Sequence, residues 1–225
     1  MSKKDKNYIK TTKLNAPAVF DYYIPMNTPK DRNAVIGRLK KAVRGSKEYK
    51  DYIAYLKEHV DMDQCIFFQN INGGKQTKHN KITIEIHHEP FCLEDYCQVI
   101  LEKWIQEGKK LNVLLMADEI MELHYNNEIG LVPLSKTMHE VVHNSTKVLV
   151  PVNMCYGNYA KFLEDYADYI EAAPVDLYDK LQRKLDMTKN LTPESFEAIK
   201  KEFTYLDVKG YDEIEKMETS AAIVA

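Results

Sequence analysis

Four of the seven histidines in this 225-residue chain are spaced for joint chemistry. His87 and His88 are adjacent, and His139 and His143 follow in an H-x-x-x-H pattern that begins 51 residues after His88. Residues four apart on a helix share one face, one turn apart. Adjacent residues on a strand point to opposite faces. If 87–88 is extended and 139–143 is helical, one of His87 and His88 joins the helix pair around a cation. The other faces elsewhere and is free to handle protons. Imidazole suits both tasks, because it titrates near pH 6.5 and is a common metal ligand. Three neutral imidazoles leave coordination positions open. They suit Zn²⁺, Ni²⁺, Co²⁺ or Mn²⁺ better than Mg²⁺, which prefers oxygen ligands.

The surrounding sequence predicts the elements that such a site needs. In KITIEIHH (81–88), Ile82, Ile84 and Ile86 alternate with Thr83, Glu85 and His87, the period of a strand. CIFFQNI (65–71) also reads as a strand, and the polar NGGKQTKHN between the two opens on an Asn-Gly turn signal, so a hairpin is expected. LVPL (131–134) is short and extended, because Pro133 forbids a helix through it and biases Val132 toward extended geometry. Ser135 then caps KTMHEVVHN as the helix bearing His139 and His143. Further helices are predicted from Asn33 as a cap to Arg44, over 47–59 behind Ser46, over 94–107 up to Gly108, and over 112–125 up to Asn126 and Asn127. The C-terminal part reads as amphipathic helices, with Thr192, Pro193 and Glu194 starting another. The fold class is α+β. Three regions are expected: a basic, mainly helical 1–60, a histidine-bearing core over 61–150, and an acidic helical 151–225.

Composition restricts the partners. Net charge is −3, but residues 1–50 carry +9, while 51–150 and 151–225 carry −6 each. A basic N-terminal segment can contact phosphates while the remainder repels them, or can simply form a solvated face. The four cysteines form no C-x-x-C pair, so a zinc ribbon is not indicated and reduced thiols are expected, although Cys92 and Cys97 are close enough in sequence to approach one metal. No apolar run approaches the roughly 18 residues of a membrane span, and the lysine-rich start has no apolar segment behind it. A soluble, cytoplasmic protein without a membrane partner is expected.

The order of strand His-His, extended LVPL and helix H-x-x-x-H resembles the ββα-metal (His-Me finger) fold of HNH endonucleases, in particular colicin-type DNase domains. The matching stretches are EIHHEPF (85–91) and GLVPLSKTMHEVVHN (130–144). The resemblance implies a ββα-metal core with a helical insertion of about two dozen residues and helical flanks at both ends. It implies His87, His139 and His143 as ligands of one divalent ion (Zn, Ni, Mn or Mg) and His88 as the general base. It assigns Glu85 to a carboxylate that orients a phosphate-contacting arginine, for which Arg32, Arg38 and Arg44 are candidates. The family's central Asn aligns with Gly130, so Asn126 or, as the chosen candidate, Asn127 would have to steady the base. The insertion holds Asp118, Glu119 and His124, which could add a ligand or merely line a helix face. The implied activity is metal-dependent hydrolysis of DNA phosphodiesters, in a family common in phages and mobile elements. The alternative is a catalytically inactive HNH-like metal-binding protein acting in assembly or regulation.

Overall fold

The computed structural model describes residues 26, 28–68, 83–144 and 148–189. Among these the chain is helix-rich with a small two-stranded sheet, an α+β fold. It divides into two compact units that alternate along the sequence. Unit 1 comprises Met1–Lys50, Leu93–Glu128 and Ala160–Leu177, and unit 2 comprises Asp51–Cys92, Ile129–Tyr159 and Tyr178–Ala225.

Unit 1 is built from helices. Helix α1 (Pro29–Gly45) starts at Thr28, not at Asn33. Thr28 Oγ1 accepts from Asp31 N, and Asp31 Oδ2 accepts from Thr28 N at 3.0 Å, while Pro29 occupies the first turn, where its missing N–H costs nothing. Val35, Ile36, Leu39 and Val43 give α1 one apolar stripe, and all four are buried. That stripe belongs to the helix that packs on α3 (Leu93–Gln106) and α4 (Val113–Tyr125). Asn112 caps α4 by accepting from Leu114 N and Leu115 N. Short helices α6 (Tyr159–Asp165) and α7 (Ala167–Ala172) complete the unit, with the Phe162 ring tilted against Tyr96 at 4.7 Å between ring centroids.

Helix α2 (Lys47–His59) starts at Ser46, whose Oγ accepts from Tyr49 N at 3.0 Å. It carries the chain into unit 2. There, β1 (Ile84–His88) pairs antiparallel with β2 (Leu131–Ser135), with His87 opposite Val132 and His88 opposite Leu131. The expected partner of β1 was the 65–71 segment. Its described part, Cys65–Phe68, is instead a turn closed by Phe68 N on Cys65 O, and Ile66 N donates to Pro133 O. Cys65 and Phe67 enter the core beside Ile84, Val132, Leu134 and Met138. An apolar, β-prone run is thus used as packing rather than as a ladder. The 72–80 loop and the helix expected after Thr192 lie outside the described residues. Helix α5 (Lys136–Asn144) follows β2 without a break, started by Ser135 Oγ accepting from Met138 N. Helix α8 (Leu177–Thr188) supplies the last described element.

Between β1 and β2 the chain leaves unit 2 after Cys92 and returns at Ile129. The insertion between the strands is therefore most of two helices of the other unit. Glu89 N donates to Gly130 O at 3.0 Å and closes the stem of this excursion. The approach is so close that a Cβ at Gly130 would lie 2.0 Å from Glu89 O, so only glycine fits.

Candidate metal centre

Strand alternation decides which histidine meets the helix. Glu85, His87 and Glu89 occupy alternate positions, as do Ile84, Ile86 and His88. The two isoleucines are buried, and His88, on their side, is 5% exposed. His87 belongs to the other face. Helix α5 packs on both strands and brings His139 and His143 to that face, one turn apart.

The three rings form a triangle. Their centroids are 4.9 Å apart for His87 and His139, 4.8 Å for His87 and His143, and 4.7 Å for His139 and His143. One ligand nitrogen from each lies within 4.8 Å of the other two. The Nε2 atoms of His139 and His143 face each other at 3.1 Å. Two imidazole nitrogens on a tetrahedral Zn²⁺ with bonds of about 2.0–2.1 Å would lie roughly 3.4 Å apart, so the donor set and spacing suit a transition-metal ion. Among the described residues, this is the group of three or more such side chains able to hold a metal. Burial is graded: His87 is buried, His139 is half-buried and His143 is exposed, so the centre opens toward solvent along α5.

Two carboxylates on β1's histidine face serve these rings. Glu85 Oε2 lies 2.5 Å from His139 Nδ1. Glu89 Oε2 lies 3.4 Å from His87 Nε2, and Glu89 Oε1 accepts from Lys184 on α8. Burial works to raise the Glu89 carboxyl, but the His87 ring and the Lys184 ammonium outweigh it and hold it below the usual carboxylate range. Behind Glu85, Lys57 on α2 donates to Ile84 O at 2.5 Å. Burial lowers the Lys57 pKa, and the Glu85 charge opposes that shift.

Several of the other expected residues belong to unit 1. Asn127 ends α4 in unit 1, in a left-handed conformation with φ 56°, and its N–H donates to His124 O. Arg32 pairs with Glu102 at 2.8 Å, and Arg38 and Arg44 are also on α1 in unit 1. Glu119 accepts from Lys103 and Trp104 within unit 1. His124 is fully buried and its ring Nδ1 meets Ile120 O at 2.8 Å. All four cysteines are free, and burial together with the nearby Glu89 charge pushes the Cys155 thiol up to about 12. Glu89, Lys57 and Lys184 were not singled out from sequence. Glu89 stands two positions after His87, a spacing that puts both on one strand face and could have marked it. Nothing local marks the lysines.

Residues 1–215 match the bacteriophage G278-like virion protein family. The chain belongs to this family. No curated protein and no solved structure matches it.

Proposed function

We propose that this virion protein carries an HNH-type ββα-metal centre and hydrolyses DNA phosphodiester bonds within the phage particle or on its delivery. The observation that carries the reading is the convergence of His87 from a strand end with His139 and His143 from the helix that follows the paired strand. Three imidazoles would hold one divalent ion, which supplies a Lewis acid for a phosphate oxygen and for the leaving oxygen. His88, adjacent to a ligand and on the opposite strand face, would take the proton from the attacking water. Glu85 and Glu89 would keep two of the ligand rings in place. The basic N-terminal segment, +9 over residues 1–50, would neutralise substrate phosphates.

A second reading has specific support. His88 is 5% exposed on the isoleucine side of β1, and Gly130 has no room for the family's asparagine. A centre with these features could hold a metal for assembly without cleaving DNA. The two readings separate in a nicking assay on supercoiled plasmid with Mg²⁺, Mn²⁺, Ni²⁺ or Zn²⁺. The nuclease reading expects metal-dependent nicking, abolished in His88→Ala with metal affinity retained, and abolished in His143→Ala with affinity weakened. Metal binding without nicking under any of these ions supports the assembly reading. Neither binding nor nicking removes both.

A further inference from the structure

We infer that Glu85 is a positioning residue of the metal centre: its carboxylate fixes the tautomer and rotation of His139 so that Nε2 is the atom presented to the ion. The inference rests on the metal-binding part of the proposed function. It departs from the role that the HNH resemblance gives Glu85, which is to orient an arginine.

The geometry carries it. Glu85 Oε2 is 2.5 Å from His139 Nδ1, and a carboxylate oxygen accepting at that position would hold the ring proton on Nδ1. A neutral imidazole with Nδ1–H has its lone pair on Nε2. That atom is the one facing His143 Nε2 at 3.1 Å, on the ligand side of the ring. Without a partner, neutral histidine favours the opposite tautomer, which would turn an N–H toward the metal position. The hydrogen bond therefore spares the site a tautomer change and a ring rotation, and it raises the basicity of the ligand. Of the arginines, Arg183 on α8 in the same unit pairs with Asp179, and Arg32, Arg38 and Arg44 belong to unit 1. The cation that the structure does place near Glu85 is Lys57. Its Nζ donates to Ile84 O, one residue away.

The test uses the full chain and two variants. Glu85→Ala removes the acceptor, whereas Glu85→Gln keeps an oxygen that can accept from Nδ1 but removes the charge. Zn²⁺ affinity is measured by calorimetric titration, the Co²⁺ adduct by its visible absorption, and the His139 tautomer by ¹⁵N imidazole NMR in the apo protein. Loss of such an outer partner typically costs roughly 10–100-fold in metal affinity. That loss is expected for Glu85→Ala, with a smaller loss for Glu85→Gln, and with the Nδ1–H tautomer giving way to Nε2–H in Glu85→Ala alone. Glu85→Gln guards against a folding artefact, because it preserves size and hydrogen bonding. If the wild-type chain binds Zn²⁺ and Glu85→Ala binds it equally well, the positioning role is wrong while the metal centre stands. If the wild-type chain binds neither Zn²⁺ nor Co²⁺, the metal centre itself is wrong and the inference falls with it.

Discussion

Gly130 stands where the HNH resemblance places an asparagine, and restoring a side chain there should damage the protein rather than complete its site. A Cβ built at residue 130 lies 2.0 Å from Glu89 O and 3.0 Å from Pro90 Cδ, where real Cβ contacts essentially never fall below 3.0 Å. About an ångström of separation must come from backbone, since the near atom is a carbonyl oxygen and not a flexible tip. The movement breaks the Glu89 N–Gly130 O bond, worth roughly 0.5–1.5 kcal/mol, and adds roughly 1–3 kcal/mol of overpacking strain. Gly130→Ala should therefore lose about 2–4 kcal/mol. For a chain of this size that lowers the melting temperature by on the order of 10 °C. Gly130→Asn should lose more. The distortion sits one residue beyond the pairing of His88 with Leu131, so Zn²⁺ affinity should fall as well. Thermal unfolding by circular dichroism and calorimetric Zn²⁺ titration read the two effects. A Gly130→Ala chain that melts at the wild-type temperature would refute the steric argument. A Gly130→Asn chain that gains cleavage would show that glycine here is a lost catalytic position and not a packing requirement.

Unit 1 offers a pH prediction. Burial pushes His124 down to about 4, whereas an unfolded histidine titrates near 6.5. The unfolded chain therefore takes up the proton first, and stability is full above pH 6.5 and declines toward pH 4, by about 3 kcal/mol in all. Urea midpoints at pH 7 and 4.5, read by the fluorescence of Trp104, the one tryptophan, should differ in the wild type and converge in His124→Gln. An unchanged difference in that variant would clear His124. In unit 2, Zn²⁺ at about 100 times its Kd should stabilise by about 2.7 kcal/mol. A chelator should reverse the gain, and His143→Ala should lack it; equal stabilisation of that variant would place the ion elsewhere. Lys57→Met leaves Ile84 O without its lysine partner and should cost roughly 1–3 kcal/mol. It should weaken Zn²⁺ binding less than Glu85→Ala does, and the reverse order would make Lys57 the more direct support.

What was legible in the sequence was local. Period two over 83–88, a proline-biased extended run at 131–134 and Ser135 before a helical repeat are short-range signals, and the β1, β2 and α5 elements follow them. The start of α1 was also readable, because Thr28, Pro29 and Asp31 spell a capping box, yet Asn33 offered a competing cap five positions later. Cys65–Phe68 misled, because an apolar β-prone run says nothing about whether a strand partner is free. The partner that β1 took lies across 36 residues of the other unit. Lys184 meets Glu89 across 95 positions, and Lys57 meets Ile84 across 27. Contacts of that span leave no periodic trace. Glu85 was picked out by the family resemblance, but its partner depended on how α5 docks on β1, which the motif does not set.

The alternation of the two units along the chain also governs how the molecule comes apart. The backbone passes between them five times, near residues 50, 92, 128, 159 and 177. A protease that nicks any one crossing divides at least one unit between the two fragments, so packing within that unit holds them together under native conditions and they separate when denatured. Excising either unit whole requires several cuts or a redesigned chain order. A recombinant fragment taken as one continuous stretch, such as 61–150, would contain His87, His139 and His143 but only part of each unit's core. For expression and for the metal titrations above, the intact chain is the smallest sensible object.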